Sequence, residues 1–503
     1  MEDKKYLYKR NNIWWVKVAV PKSQRDKFGY DLRQTTGKSD LNEARSVRNH
    51  IVESLKSKFS ETEKYVPLPS TKFMEKTNID NPQYFHKVVD CQYACPAHTN
   101  VPEYIRLIAQ KKYTDAYMLT WESNVFPGIL GRVCDRPCEP ACRRGRTHEK
   151  SVAICRLKRV TYDYKDDVEK YIPQSPKVKN GKRIALIGAG PASLTVARDL
   201  LPLGYECTIF EKDHKAGGLM RTNIPSFRLP ADVLDEEIYR IINMGAELKL
   251  NSYIEKLKPV IDEYDSVFIG TGAPKGKDLK LKGREISSEN IHIGIDWLTS
   301  IAFEHVKKIG KKVVVIGGGN TAMDCCRSAL RLGATDVKVT VRSPFSQMKA
   351  SEWEIEETME EGIPILDNTS PKEFLFDDKG KLCGMKFEKM EQVEVDGRKK
   401  MQSTGEEITI ECDDVLLAIG QENAFPWIEK DIGIEFGEWE MPVVDKLTMQ
   451  STHPKVFFGG DSAWGPENII WAVSHGHQAA ISIDNFCSGV RLKERPAPVT
   501  NLV

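Results

Sequence analysis

The sequence contains no apolar run close to the roughly 20 residues that a membrane-spanning helix needs, so we expect no contact with a membrane. Its first residues, MEDKKYLYKRNNIWW, lack the apolar core of a secretion signal, and we therefore expect a cytoplasmic protein. The 73 Lys and Arg residues balance the 72 Asp and Glu residues. A net charge of +1 gives the chain no overall attraction for nucleic acid.

Cysteine, in contrast, is plentiful and unevenly placed. Stable disulfides are rare in the cytoplasm, yet six of the twelve cysteines fall within 65 residues. The stretch 131–145, GRVCDRPCEPACRRG, carries three of them, and CQYACPAH carries two. Such runs hold a [4Fe–4S] cluster or a zinc ion; we favour the cluster because Cys-Pro closes bacterial iron–sulfur runs, and zinc is the alternative. The candidate ligands are Cys91, Cys95, Cys134, Cys138, Cys142 and Cys155, with Arg132, Arg136, Arg143 and Arg144 expected to offset the cluster's negative charge.

From residue 181 the sequence takes on the strand, glycine turn and helix pattern of α/β domains. This unit occurs twice, as KRIALIGAGPASL and KKVVVIGGGNTAM, with the first glycines 129 residues apart. We therefore predict an α/β fold with two Rossmann-like dinucleotide-binding domains, preceded by a helical iron–sulfur domain and a small basic α+β module. The predicted boundaries are 1–65 for the module, 75–175 for the helical domain, 180–285 with 425–503 for an FAD domain, and 290–424 for an NADPH domain.

The first glycine motif predicts a site for a dinucleotide without a 2′-phosphate. Gly188 permits the tight turn, Gly190 allows close approach to a pyrophosphate, and the helix beginning near Pro191 directs its N-terminal amides at that charge. Glu211, 23 residues after Gly188, would accept hydrogen bonds from ribose hydroxyls and repel a 2′-phosphate. The residues expected to contact this nucleotide, interpreted as FAD, are Gly188, Gly190, Pro191, Ala192, Ser193, Glu211 and Gly272.

The second glycine motif differs at the end of its second strand. The strand VKVTV ends in Arg342, and a guanidinium there favours a 2′-phosphate, so we predict NADPH at this site. The alternative is that Arg342 is an ordinary solvated arginine. The expected contacts are Gly317, Gly319, Asn320, Thr321, Ala322, Arg342, Ser343, Lys349 and Gly420.

A third element near the C-terminus, VFFGGDSAWGPENIIWAV, fits a flavin site once two Rossmann units are present. Gly460 would allow close backbone approach, and Asp461 would bind the hydroxyls of a ribityl chain. A helix from Asn468 and Ile469 would direct its N-terminal amides at the flavin ring. Taken alone, the same segment fits an ordinary strand, turn and amphipathic helix.

The chain from about residue 80 resembles the small subunit of NADPH-dependent glutamate synthase. It is similar in plan to the N-terminal half of dihydropyrimidine dehydrogenase and to the large subunit of electron-bifurcating ferredoxin:NADP oxidoreductase. The motifs that carry the resemblance are ACPAHTNVPEYI, NVFPGILGRVCDRPCEPACRRG, IGAGPASL, GGLMRTNIPSFRLP, VIGGGNTAMD, EIEETMEEGI and GGD. The resemblance implies electron flow from NADPH through FAD and iron–sulfur to a separate acceptor subunit. It also implies a loop beside the flavin that contains Gly217, Gly218, Leu219 and Arg228.

The chain departs from that family, which carries two [4Fe–4S] clusters, at three ligand positions. Gln83 and His86 stand where the family has cysteines, and Lys158 stands where it has Glu or Gln. A protonated lysine cannot ligate iron, whereas Cys155 lies one helical turn earlier on the same face. We therefore predict one cluster, with two as the alternative. Its predicted ligands are Cys95, Cys134, Cys138 and Cys155, while Cys91 and Cys142 would remain from a lost cluster, together with His86.

Residues 1–60 do not share that resemblance. They contain 14 Lys and Arg residues against 7 Asp and Glu residues, and they resemble the N-terminal arm-binding module of phage-type tyrosine recombinases. A docking or oligomerisation module is the favoured interpretation. The alternative, from a different functional class, is a redox regulator that binds DNA through these residues.

Overall fold

The computed structural model describes residues 6–10, 12–20, 31–60, 89–147, 150–286, 289–395 and 398–495. The chain forms two compact units, Met1–Phe73 and Met74–Val503. Within the described ranges, no helix is both long and apolar enough to cross a membrane. The cytoplasmic location stays a prediction.

The first unit consists of a small antiparallel sheet and one helix. Val16 and Val18 face the same side of the central strand and are buried in a core that includes Leu55 of the helix. The carboxylate of Asp40 caps the helix by accepting two backbone N–H groups of its first turn at 2.8 and 3.1 Å. The strands are Leu7–Arg10, Ile13–Ala19 and Asp31–Thr35, and the helix is Leu41–Ser60.

Residues 89–171 form a helical domain, the cysteine domain, that contains all six clustered cysteines. Two of its helices pack closely at Gly131, where a Cβ atom would lie 2.7 Å from the backbone nitrogen of Arg159. This approach brings Cys134, at the end of one helix, near Cys155, in the first turn of the other. The helices are Asp90–Ala94, Val101–Ala109, Tyr113–Asn124, Pro127–Val133, Arg144–Thr147 and Ile154–Asp163, with a 3-10 turn at Glu169–Tyr171.

A five-stranded parallel sheet forms the centre of the first Rossmann unit. Its central strands are short, mostly apolar runs buried on both faces, as is typical of parallel sheets covered by helices, whereas the edge strand Glu247–Lys249 is partly exposed. In spatial order they are Val456–Phe458, Ser266–Ile269, Arg183–Ile187, Glu206–Phe210 and Glu247–Lys249. The helices of this part are Pro191–Leu200, Leu219–Thr222, Ala231–Ile242, Lys258–Glu263, Asp461–Trp464 and Ile469–Cys487, with a 3-10 turn at Leu201–Leu203.

The second Rossmann unit repeats this plan with its own five-stranded parallel sheet. Its strands, in spatial order, are Ile365–Leu366, Asp336–Thr340, Lys312–Ile316, Asp414–Leu417 and Ile291–Ile293. Its helices are Gly294–Ala302, Asn320–Arg331 and Glu352–Glu360. An antiparallel sheet of Thr369–Phe376, Leu382–Val395 and Arg398–Glu411 is inserted into it, and Lys275–Gly276 pairs with Gln421–Glu422 outside it. Short 3-10 turns lie at Phe345–Gln347 and Glu438–Glu440.

The predicted fold class is confirmed. Two Rossmann-like units follow a helical domain and a small α+β module, and the first unit takes its outer strand Val456–Phe458 from beyond the second unit. The C-terminal helix Ile469–Cys487 therefore returns to the first unit, where it packs against Pro191–Leu200. The exact domain boundaries stay predictions.

Candidate functional site

The first glycine loop, Gly188–Ser193, turns tightly at the end of its strand. Gly188 has a φ of +90°, and a Cβ atom there would lie 2.8 Å from the carbonyl oxygen of Gly270. The helix begins at Pro191 with Gly190 as its N-cap. A bare backbone at this point lets an anion reach the helix amides, as a dinucleotide pyrophosphate requires.

Two buried hydroxyls beside this loop suit a polar ligand. In the described part of the chain, Ser193 Oγ and Thr271 Oγ1 are buried and have no hydrogen-bond partner. Orphaned polar atoms of this kind are usually satisfied by a ligand or an ordered water. The loop therefore fits a dinucleotide such as FAD by both shape and hydrogen-bonding capacity.

Glu211 follows the second strand of this unit and is buried. Its Oε2 accepts the backbone N–H of Ala189 at 2.8 Å, and its Oε1 accepts that of Asp213 at 3.0 Å. Burial raises the pKa of the carboxyl group. An ionised carboxylate has lone pairs left after these two bonds, so the predicted contact with ribose hydroxyls is compatible with this geometry.

The segment GGLMRT packs directly on the first glycine loop. Gly217 donates its backbone N–H to the carbonyl of Ala189 at 3.0 Å. A Cβ atom on Gly218 would lie 3.0 Å from the Cα of Gly190, and one on Gly272 would lie 3.9 Å from Leu219. The structure thus brings the loop predicted beside the flavin next to the predicted pyrophosphate site.

The C-terminal element also meets this loop. A Cβ atom on Gly460 would lie 3.4 Å from the Cβ of Ala192. Asp461 Oδ1 accepts the N–H of Glu467 at 3.0 Å, and burial raises the pKa of Asp461 to about 7. Asn468 caps the helix that starts at Ile469, where the sequence predicts the start of a helix.

The second glycine loop, Gly317–Ala322, repeats the geometry of the first. Gly317 has a φ of +142°, and its Cβ position lies 2.1 Å from the carbonyl oxygen of Ala418. A Cβ atom on Gly319, in contrast, would meet no protein atom within 4 Å, so the helix N-terminus at Asn320 is open to a ligand. Lys349 lies beside this loop, because its backbone N–H donates to the carbonyl of Gly318 at 2.9 Å.

Backbone pairing fixes which residues correspond in the two units. The N–H of Glu211 bonds to the carbonyl of Lys249, and that of Val341 bonds to the carbonyl of Leu366, both at 2.9 Å. Val341 therefore occupies the position of Glu211, and Arg342 follows one residue later. Arg342 is exposed, and no ion pair or hydrogen bond is found for its side chain among the described residues. Ser343 follows it and accepts the backbone N–H of Asn368 at 3.3 Å, and Gly420 has a φ of +115°.

The clustered cysteines separate into two groups. Cys95, Cys134, Cys138 and Cys155 all interact electrostatically with the buried ammonium group of Lys158. Burial raises the pKa of Cys91, and Cys142 is the neighbouring group that raises it most. Cys138 also packs in one buried cluster with Cys91 and Cys142, so it lies between the two groups, and the ligand assignment stays a prediction. Gln83 and His86 lie outside the described residues.

The thiols of the first group, which we call the four-thiol group, are held by the surrounding backbone and side chains. Cys155 Sγ donates to the carbonyl of Leu130 at 3.2 Å, and Cys134 Sγ accepts the N–H of Arg136 at 3.5 Å. Burial raises the pKa of Cys134 to about 11 and raises that of Cys138 further. Neutral thiols thus fit the metal-free protein, and binding a metal group would release protons.

The geometry favours a cluster over a single metal ion. Across the described part of the chain, no three His, Cys, Asp or Glu side chains converge closely enough to hold one ion. A zinc site requires four ligands around one centre, whereas the thiolates of a [4Fe–4S] cluster bind separate irons. Four buried thiols that come from three segments of this domain and do not converge on one point are compatible with the second arrangement.

The arginines expected to offset the cluster's charge are engaged elsewhere. Arg132 pairs with Asp163 at 2.7 Å, and Arg143 pairs with Asp90 at 3.0 Å. Arg136 stacks over the ring of Trp353 in the second Rossmann unit, 4.1 Å from its centroid. Arg132 and Arg143 would therefore offset less of a cluster's negative charge than the sequence suggests, because carboxylates already balance their charges.

Arg228, predicted near the flavin, instead bridges the two Rossmann units. Its guanidinium bonds to Asp324 at 2.6 and 2.7 Å and to Glu354 at 2.5 Å, and all three side chains are largely buried. Glu354 also pairs with Arg327 at 3.1 Å. The sequence gives no signal for these partners, which lie 96 and 126 residues from Arg228.

Asp135 is a second residue that the sequence does not single out. Its carboxylate accepts hydrogen bonds from Ser351 Oγ at 3.2 Å and from Asn468 Nδ2 at 3.0 Å. Ser351 is tied in turn to Asn320, whose Oδ1 accepts its backbone N–H at 2.8 Å. The residue after Cys134 therefore connects the cysteine domain with the helix starts of both Rossmann units.

Known proteins resemble the chain over most of its length. The NADPH-Fe(3+) oxidoreductase subunit beta of Geobacter sulfurreducens is 32% identical over 444 residues, covering 82% of this chain and 66% of that protein. The NADP(+)-dependent formate dehydrogenase subunit beta of Moorella thermoacetica is 34% identical, with 79% and 59% covered. The glutamate synthase [NADPH] small chain of Escherichia coli is 29% identical, with 79% and 88% covered. The chain thus spans less than two thirds of the length of the first two relatives.

Solved structures show the same fold at low identity. FprA of Mycobacterium tuberculosis in complex with NADPH matches with a TM-score of 0.52 at 16% identity, covering 61% of this chain and 85% of FprA. The His57Gln mutant of FprA gives a TM-score of 0.53 at 17% identity with the same coverage.

Two family models match separate parts of the chain. Residues 85–170 match dihydropyrimidine dehydrogenase domain II, 4Fe-4S cluster, in agreement with the cysteine domain. Residues 182–476 match pyridine nucleotide-disulphide oxidoreductase. Residues before 85 lie outside both matches, and the resemblance to recombinases and the DNA-binding hypothesis gain no support from the comparisons. The chain belongs to the pyridine nucleotide-disulphide oxidoreductase family and carries a 4Fe–4S domain of the dihydropyrimidine dehydrogenase type.

Proposed function

We propose that this chain transfers electrons from NADPH to a partner subunit through FAD and one [4Fe–4S] cluster. The observation that carries the proposal is that the two glycine loops and the cysteine domain belong to one compact unit, Met74–Val503. A Cβ atom on Gly190 would meet only the carbonyl oxygen of Gly270, at 3.6 Å, and one on Gly319 would meet no atom within 4 Å. Asp135, next to Cys134, hydrogen-bonds to residues at the starts of helices near both loops. When bound, FAD would accept a hydride from NADPH and pass electrons singly to the cluster.

The residues bind and orient, and none of them acts as an acid or base. The first glycine loop would hold the FAD pyrophosphate, Glu211 the ribose and Asp461 the ribityl hydroxyls. The second loop, with Arg342 and Lys349, would hold NADPH. The remaining predicted contacts are Pro191, Ala192, Ser193, Gly217, Gly218, Leu219, Gly272, Gly460, Asn468 and Ile469 for FAD, and Asn320, Thr321, Ala322, Ser343 and Gly420 for NADPH.

The preference for NADPH follows from the ends of the second strands. In the first unit a buried carboxylate, Glu211, would repel a 2′-phosphate, whereas Val341 occupies that position in the second unit. The exposed guanidinium of Arg342 beside it is available to a phosphate. Charge and exposure therefore both support binding of the phosphorylated nucleotide at the second loop.

The electron acceptor is proposed to be a separate subunit. Three relatives are named as a beta subunit or small chain of a larger oxidoreductase. A partner of the glutamate synthase large-subunit type is the first candidate, since that small chain is covered over 88% of its length. A dihydropyrimidine dehydrogenase- or ferredoxin-type partner is the second candidate.

An anaerobic titration of the purified protein with NADPH and then with NADH tests this function. The flavin absorbance band should bleach at a much lower concentration of NADPH than of NADH. If NADPH and NADH bleach the flavin band at the same concentration, Arg342 does not select NADPH. No bleaching by either nucleotide would contradict the proposed function.

A further inference from the structure

Lys158 is a buried cation without a carboxylate partner. Its side chain is 4% exposed, in the helix Ile154–Asp163. Among the described residues, no carboxylate forms an ion pair with Lys158, whereas Lys165, seven residues later in the chain, pairs with Glu236 at 2.8 Å. A buried ammonium is costly unless a negative group lies close to it.

The groups that face Lys158 are thiols. Lys158 lies three residues after Cys155, on the same face of one helix, and this helix packs at Gly131 against the helix that ends beside Cys134. Cys95 and Cys138 belong to the same domain and also act electrostatically on the ammonium group.

Two further polar groups near the thiols do not balance the charge. Glu139, a carboxylate that acts electrostatically on Cys138, uses its Oε1 to accept the N–H of Cys155 at 2.9 Å. Tyr104, which lies near the same thiols, donates its hydroxyl to the carbonyl of Ile154 at 2.9 Å. Neither group forms an ion pair with Lys158.

Neutral thiols do not compensate a buried cation, whereas a loaded cluster does. Four thiolates around a [4Fe–4S] core leave a net negative charge, which becomes more negative on reduction. A fixed positive charge beside that core stabilises the reduced form more than the oxidised form, because the attraction grows with the negative charge. The arginines at the rim lack this effect, since Arg132 and Arg143 are paired with carboxylates.

We propose that Lys158 is a positioning residue for the cluster: its ammonium group is the internal counter-ion of a [4Fe–4S] cluster held by Cys95, Cys134, Cys138 and Cys155, and it makes that cluster easier to reduce. This inference rests on the proposed function, because it takes the four-thiol group to be the cluster site. It assigns to Lys158 a role different from that of the Glu or Gln ligand expected at its position.

The test measures iron content and the midpoint potential of the cluster in an EPR-monitored redox titration. Lys158→Met should keep about four irons per chain. Its equilibrium constant for cluster reduction should fall at least tenfold, which is 59 mV for a one-electron couple. Lys158→Arg keeps the positive charge and should therefore keep the midpoint potential close to that of the wild-type protein. The matched control is Arg156→Met, an exposed residue of the same helix, which should shift the constant less than threefold.

Two results would overturn the proposal. An unchanged potential in Lys158→Met would show that the charge does not act on the cluster. Loss of iron in Lys158→Met but not in Cys155→Ser would show that Lys158 is a ligand. If Lys158→Met fails to fold, pulsed EPR of the reduced wild-type protein decides, because a nitrogen ligand gives strong ¹⁴N coupling and a counter-ion does not.

The same samples separate this inference from the proposed function. Flavin bleaching by NADPH in the wild-type protein reports the proposed function alone. If bleaching fails while the potential still depends on Lys158, only the proposed function is wrong. If bleaching is normal and the potential is independent of Lys158, only the counter-ion role is wrong.

Discussion

The two glycine loops share one backbone frame and differ in the chemistry at its edge. Gly188 donates its N–H to the carbonyl of Phe210 at 2.8 Å, and Gly317 donates to that of Thr340 at 3.0 Å. Beyond this common turn, the first unit places a buried Glu211 where the second places Val341. The shared frame fits a dinucleotide in either unit, and under the proposed function the side chain at the strand end selects which one.

The largest expected effect concerns the contact between the two Rossmann units. Arg228→Met leaves Asp324 and Glu354 buried without their shared cation, and breaking such a pair costs about 3–5 kcal/mol. Denaturant unfolding should show this loss. Arg183→Met breaks an exposed pair with Glu263 in the first unit and should change stability little. Equal effects of the two changes would contradict the structural role of Arg228.

Two alanine substitutions distinguish the glycine that the turn of the second loop requires from the glycine that a nucleotide would approach. Gly317→Ala places a Cβ atom 2.1 Å from the carbonyl oxygen of Ala418 and should destabilise the protein by roughly 1–3 kcal/mol. Gly319→Ala meets no protein atom within 4 Å, so thermal unfolding should be unchanged while the KM for NADPH rises. A normal KM in Gly319→Ala would mean that no nucleotide approaches this backbone.

Removing the guanidinium group of Arg342 should weaken the preference of the second site for NADPH over NADH. Arg342→Ala should lower kcat/KM for NADPH about 10- to 100-fold, as expected for loss of hydrogen bonds to a phosphate, and leave that for NADH nearly constant. Steady-state kinetics with both nucleotides measures the ratio. Lys308→Ala, an exposed cation of the same unit, serves as the control. A parallel loss for both nucleotides would assign Arg342 to general binding instead.

A dependence of stability on pH distinguishes the acidic first site. Burial raises the pKa of Asp461 from 3.8 to about 7, so the folded protein binds this proton more tightly than the unfolded chain. Stability of the flavin-free protein should therefore decline as pH rises from about 4 to about 7. Melting curves of Asp461→Asn should show a smaller decline, and the exposed control Asp431→Asn should keep the wild-type slope. Identical slopes in all three proteins would exclude Asp461 as the source.

Local patterns predicted the frame of the site well. The two strand, glycine and helix repeats, the helix after Asn468 and the crowding of cysteines are all encoded by neighbouring residues. The contacts that join these parts are not, because Asp135 meets Ser351 and Asn468 across 216 and 333 residues of chain. For the same reason the sequence gives no signal for the partners of Arg228, which the family resemblance places beside the flavin. Such contacts depend on how the units pack, for which the sequence of either segment carries no signal.

The central claim is the order of electron transfer from NADPH through the flavin to the four-thiol group. Rapid mixing of the anaerobic holoprotein with NADPH tests it directly, with absorbance following the flavin and freeze-quench EPR following the cluster. The account predicts that the flavin band bleaches first and that the cluster signal then appears as the reduced flavin is consumed. A cluster signal that forms at the same rate in protein stripped of flavin would contradict it.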